Sequence, residues 1–143
     1  MKLANHLLLV FLLLFAAQVL AGGFKVDKPW IREAPPGMKI LAGYMTLENE
    51  KNEALNMVGA SSADFESIEI HHTIIKDDMA SMIRQQSVRI PRFSTVKFEP
   101  NGLHLMLIKP RRELRGGDKV KITLKFSNYR KVKVVFQVRK GGR

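Results

Sequence analysis

The sequence predicts an all-β fold, a sandwich or barrel of short strands. Three observations carry this prediction. Val120, Ile122, Leu124 and Phe126 stand at every second position, and Val132, Val134, Phe136 and Val138 repeat the pattern. Period-two alternation puts one face of a strand on a core and the other in solvent. Turn-forming clusters punctuate the chain at short intervals, at Pro35-Pro36-Gly37, Pro100-Asn101-Gly102 and Gly116-Gly117-Asp118. No long amphipathic helix, internal repeat or low-complexity tract interrupts them.

The elements follow in order. Met1-Lys2 gives a positive start, Leu7 to Ala17 is an unbroken apolar run, and Val19-Leu20-Ala21 ends in small residues. Together these read as a secretory signal peptide over residues 1–21. The run is shorter than the roughly 20 apolar residues that span a bilayer. Residues 22–143 are then expected to form a single domain, exported to the periplasm and soluble, without membrane insertion. After the break at Pro35–Gly37, Ala42 to Leu47 reads as a strand. Ile68 and Ile70 mark the core side of another, which puts Glu69, His71 and Thr73 on its opposite face. Lys76-Asp77-Asp78 is turn-like, so the chain can double back. Leu103, Leu105 and Leu107 alternate with His104, Met106 and Ile108 in a further strand. Residues 120–126 and 132–138 pair through a short connection at Ser127-Asn128-Tyr129-Arg130, and Arg139–Arg143 forms a frayed tail.

The 143 residues include no cysteine. No disulfide is available, so core packing must hold the domain, and a cysteine-linked lipid anchor has no attachment point. Lys and Arg total 24 against 13 Asp and Glu, a formal charge of +11. Such a field favours anionic partners. No nucleic-acid motif appears, and export argues against that partner. Lysines placed singly, as in Lys119-Val120-Lys121 and Lys131-Val132-Lys133, read as solvated faces and as protection of sheet edges. The denser cluster Lys109-Pro110-Arg111-Arg112 follows Met106 closely and would steer docking to an acidic acceptor protein.

The chemistry lies in His71, Met82, His104 and Met106. Two imidazoles and two thioethers make a soft, neutral donor set. Thioethers select Cu(I), and imidazole accepts copper in either oxidation state. His104 and Met106 share one face of a strand at about 6.6–7 Å between Cα atoms, a separation that long side chains can close. Met82 would return beside the His71 strand, giving a site at the surface end of the sandwich. His72 and Met79 are the rivals. By parity His72 falls with Ile68 and Ile70 and is expected part-buried or at a strand end. Met38, Met45 and Met57 are expected as packing residues, and Trp30 and Tyr44 as core.

Other function classes fit less well. A blue-copper electron carrier needs a cysteine thiolate. A zinc hydrolase uses His or carboxylate ligands rather than methionines. An enzyme reading finds no nucleophile or carboxylate constellation beside His71 and His104. What remains is a metal carrier, or a structural β-domain in which these His and Met residues are incidental.

The spacing His-x10-Met-x21-His-x-Met resembles that of the periplasmic copper chaperones known as PCuAC. The similarity covers nearly the whole of residues 22–143. Trp30-Ile31-Arg32-Glu33-Ala34-Pro35-Pro36-Gly37 resembles the family's early segment, and Ala42-Gly43-Tyr44-Met45-Thr46-Leu47-Glu48-Asn49 its first core strand. Val58-Gly59-Ala60-Ser61-Ser62 resembles the stretch before the first histidine, and Gly102-Leu103-His104-Leu105-Met106-Leu107 the second ligand strand. The resemblance implies a cupredoxin-like β-sandwich and a monomer that carries one Cu(I) on His71, Met82, His104 and Met106. It implies delivery to an acceptor such as the dicopper centre of cytochrome c oxidase, in subunit II, or to another copper chaperone. Thr73 stands where some members have a methionine, so no fifth ligand is implied. The tail lacks the His and Met residues with which some members hold Cu(II).

Overall fold

The computed structural model describes residues 23–141. The leader expected over residues 1–21 lies outside the described residues. Ten strands follow in chain order: β1 (Phe24–Arg32), β2 (Ile40–Asn49), β3 (Leu55–Ser61), β4 (Phe65–Lys76), β5 (Met79–Gln85), β6 (Val88–Ile90), β7 (Ser94–Phe98), β8 (Leu103–Pro110), β9 (Lys119–Phe126) and β10 (Lys131–Arg139). Among the described residues there is no helix.

The strands form one sheet in the order β5-β4-β8-β7-β2-β1-β10-β9-β3-β6, with further pairings of β4 to β3 and β8 to β2. The β3–β4 bridge at Ala60 and Ile68 closes the sheet on itself. The result is the all-β barrel-like sandwich expected from the alternation, in keeping with the cupredoxin-like form that the family resemblance implies. Its interior takes Ile31 from β1, Leu47 from β2, Met57 from β3, Phe65 from β4, Ile90 from β6 and Leu105 and Leu107 from β8. Val120, Ile122 and Leu124 of β9 and Phe136 of β10 complete it. Burying a side chain of this size stabilises by about 1.5–3 kcal/mol relative to leaving it in water. With no cysteine in the chain, this packing has no covalent support.

The turns use the expected residues. Asp77 and Asp78 both have positive φ, 51° and 59°. Two such residues make the tight connection whose twist suits a hairpin, and Lys76 pairs with Met79 across it. Asn101 takes φ 65° in the Pro100-Asn101-Gly102 turn.

Two sequence expectations change, those for Met38 and Trp30. Met38 is not a packing residue; it is 52% exposed because it sits in the loop that follows Pro35-Pro36-Gly37. Trp30 is half-buried rather than core, whereas Tyr44 is buried as expected, though outside the main interior cluster. They occupy the opposite face of β1 and β2 from Ile31 and Met45, with their rings tilted against each other and centroids 4.7 Å apart. β1 joins β10 only at Gln137–Arg139 and β3 joins β9 only at Thr123–Phe126, so Lys119, Lys121, Lys131 and Lys133 flank open stretches of sheet edge, as expected, whereas Lys125 does not.

Candidate metal centre

Strands β4, β5 and β8 place the four candidate ligands on one face. His71 and His104 are direct cross-strand partners between β4 and β8. One step along the same ladder, Met106 stands opposite Glu69. Across the other edge of β4, Met82 stands opposite Thr73. Each methionine is therefore a diagonal neighbour of His71, about 7–8 Å away at Cα, within reach of an unbranched side chain. The imidazole rings lie 6.0 Å apart between centroids.

The local sequence explains this face. Leu105 and Leu107 are fully buried in the interior, which turns His104 and Met106 outward. The same alternation turns His71 away from Ile68 and Ile70. Outward does not mean exposed. His104 is 5% exposed and the His71 side chain 11%, so the imidazoles are recessed and do not project freely. Met82 is 58% exposed on β5, which ends the strand order. The site thus has a closed end at the histidines and an open end at Met82.

The hydrogen bonds define which nitrogens are free. His104 Nδ1 lies 3.1 Å from the Gly102 carbonyl, which can only accept. Nδ1 therefore carries the proton, and Nε2 keeps its lone pair. In His71 the arrangement is reversed. Its Nε2 lies 2.8 Å from a Glu69 carboxylate oxygen, while Nδ1 is buried without any partner. A buried unpartnered nitrogen is costly, and a bound ion would satisfy it. The hydrogen bond from His71 holds the Glu69 carboxyl below the usual carboxylate range, with burial working against it and Arg84 assisting. Arg84 Nη1 is 3.4 Å from the other carboxylate oxygen. Burial pushes the His104 imidazole down, the Gly102 carbonyl opposes this, and His71 and His72 add to it.

Glu69 is the residue that the sequence reading placed on this face without giving it a role. Its signal was available: a carboxylate two positions before a histidine on a strand shares that histidine's face. The rivals fall elsewhere. His72 and Met79 belong to the other face of the β4–β5 hairpin from His71 and Met82. His72 is exposed rather than part-buried, because the hairpin runs on past the end of the core. Ile74, Met79 and Ile83 on the same face are exposed as well. Thr73 is buried opposite Met82, and its N–H donates to the Gly102 carbonyl.

The basic cluster after Met106 is less available than its sequence suggests. Lys109 pairs with Glu66 at 3.0 Å, and Arg112 with Asp64 at 2.8 Å. Among the described residues no three His, Cys, Asp or Glu side chains converge as a metal site.

Residues 24–138 match the family described as "Putative lipoprotein LpqE-like". The chain belongs to this family. It is the PCuAC family that the sequence resembles. Among named relatives of this PCuAC chain, "Putative lipoprotein Lxx21020" of Leifsonia xyli is 34% identical over 109 residues, 76% of this chain and 64% of that protein. "Uncharacterized protein RP573" of Rickettsia prowazekii is 34% identical over 88 residues, 61% of this chain and 49% of that protein. The matches therefore span about half to two thirds of these relatives' length. Among solved structures, the copper-bound PCuAC domain from PmoF2 superposes with a TM-score of 0.71 at 25% identity, over 84% of this chain and 95% of that one. The solution structure of Cu(I)-DR1885 from Deinococcus radiodurans gives 0.68 at 30% identity, over 88% and 83%.

Proposed function

We propose that this protein is an exported copper chaperone that binds one Cu(I) through His71, Met82, His104 and Met106. The observation that carries the reading is the pairing of His71 with His104 between two diagonal methionines, with His71 Nδ1 buried and unpartnered. Copper in the two solved relatives supports the choice of ion. The role is carriage, not catalysis.

The donors would be His71 Nδ1, His104 Nε2 and the two sulfurs. A set of neutral donors leaves the ion's charge uncompensated, which favours Cu(I) over Cu(II). Release would begin at the open end. Met82, on the outermost strand, is the ligand an acceptor can displace first, and the recessed histidines would leave last. The acceptor is proposed as an acidic protein, cytochrome c oxidase subunit II with its dicopper centre or another copper chaperone. Export to the periplasm rests on the leader pattern at residues 1–21 and on lipoprotein names among relatives. Residues 22–143 would act as one copper-binding domain and as a monomer.

The test is anaerobic titration of the exported protein with Cu(I) against a competing chelator, beside Zn(II). One tightly bound Cu(I) and much weaker Zn(II) are expected. Equal affinity for both ions, or no Cu(I) binding, would leave a structural domain with incidental His and Met residues.

A further inference from the structure

Two lysine runs that read as separate solvated faces form one surface. On the outer side of the β9–β10 hairpin stand Lys119, Lys121 and Lys125 from β9 and Lys131 and Lys133 from β10. Lys125 and Lys131 are direct cross-strand partners. Like charges in that position destabilise a sheet. Among the described residues none of the five lysines takes part in an ion pair. β1 joins β10 only from Gln137 on and β3 joins β9 only from Thr123 on, so edge protection accounts for Lys119, Lys121, Lys131 and Lys133 but not for Lys125, which pairs with Gly59 of β3. Solubility would be served equally by lysines spread over the barrel, without the repulsive pair.

We infer that the β9–β10 face is a docking surface for an anionic lipid bilayer. The chemistry favours lipid over protein. The cores of protein interfaces are depleted in lysine and enriched in arginine and aromatic anchors, and on the two strands this face offers five lysines beside Thr123, Val135 and Gln137, with a single arginine, Arg139, at its far end over Trp30. Flexible ammonium groups act as point charges, and mobile headgroup phosphates can rearrange beneath them. Tyr129 stands at the tip of the same hairpin, 96% exposed, and tyrosine suits the headgroup layer. In the closed sheet β9 and β10 belong to a different wall from β4 and β8. A molecule lying on this face would leave the β4–β5 hairpin free. The inference stands independently of the copper reading.

The test is co-sedimentation of the exported protein with vesicles of phosphatidylcholine alone or with phosphatidylglycerol added, at low and high salt. Binding is expected only with phosphatidylglycerol and only at low salt. Each lysine near an anionic surface contributes about fivefold in affinity, so Lys121→Glu with Lys133→Glu should weaken binding by at least about 25-fold. Lys39→Glu with Lys97→Glu makes the same change in net charge on another part of the barrel and should weaken it far less. Lys125→Glu should both weaken vesicle binding and raise the melting temperature, because it turns the repulsive pair into an attractive one. That gain also shows that the variant folds. Absence of phosphatidylglycerol binding, or equal losses in the two double variants, would overturn the inference. Binding to an acidic protein without binding to vesicles would overturn it as well.

Discussion

Glu69 should set the copper affinity without touching the ion. Its carboxylate accepts a hydrogen bond from His71 Nε2 at 2.8 Å, which leaves the lone pair on Nδ1, the buried nitrogen without a partner. Hydrogen bonds to a charged group contribute about 1.5–3 kcal/mol. The Glu69 side chain is 25% exposed, so most of that range applies. If Glu69→Ala releases the ring to rotate and change tautomer, the loss corresponds to about 10–100-fold in Cu(I) affinity. Glu69→Gln keeps an acceptor but loses the charge, and should fall within about tenfold of wild type. Arg84 is well exposed and 3.4 Å from the carboxylate, so Arg84→Ala should cost less than about threefold. The assay is anaerobic competition for Cu(I), run beside nitrogen-15 NMR of the histidine rings in the apo protein. Wild-type His71 should show the Nε2–H tautomer, and Glu69→Ala a mixture. A Glu69→Ala protein that binds Cu(I) like wild type, with the His71 tautomer unchanged, would refute the reasoning.

Three further outcomes are expected. His71→Ala and His104→Ala should each weaken Cu(I) binding by more than the roughly 100-fold upper range of an outer partner, whereas His72→Ala should leave it nearly unchanged; Met82→Leu should cost more than Met79→Leu, read in the same titration. The apo protein should lose stability as pH falls below about 6.5, where His104 in the unfolded chain takes up a proton that the buried folded ring resists. This contribution is fully present above that pH and is lost towards the lowered folded-state pKa, and urea melts of His104→Gln should show a shallower pH slope. Leu105→Ala, at a fully buried position, should cost about 2–5 kcal/mol in denaturant melts.

The legible parts of this fold were those where one strong periodicity acted alone. In β9 and β10 the apolar residues recur without interruption, and the structure buries that face. The turn at Asp77-Asp78 was legible because short acidic residues tolerate positive φ. β1 was hidden because Lys28, at φ 47°, and the register shift between Asp27 and Trp30 break its alternation. β7 is short and half polar, and it forms by pairing with β2, a partner that no local pattern names. The face shared by His71, His104, Met106 and Met82 followed from parity and one turn. Its depth did not, since burial of His104 depends on what neighbouring strands bring beside it. Lys109 and Arg112 looked free in sequence because Glu66 and Asp64, their partners, lie more than forty positions away in the chain.

The central claim is that two imidazole nitrogens and two thioether sulfurs hold one Cu(I) on the β5–β4–β8 face. X-ray absorption at the copper edge of the Cu(I)-loaded protein tests it most directly. Mixed nitrogen and sulfur neighbours in roughly equal number are predicted, with one sulfur lost in Met82→Leu and one in Met106→Leu. A copper shell of nitrogen and oxygen alone, or one unchanged by both substitutions, would contradict it.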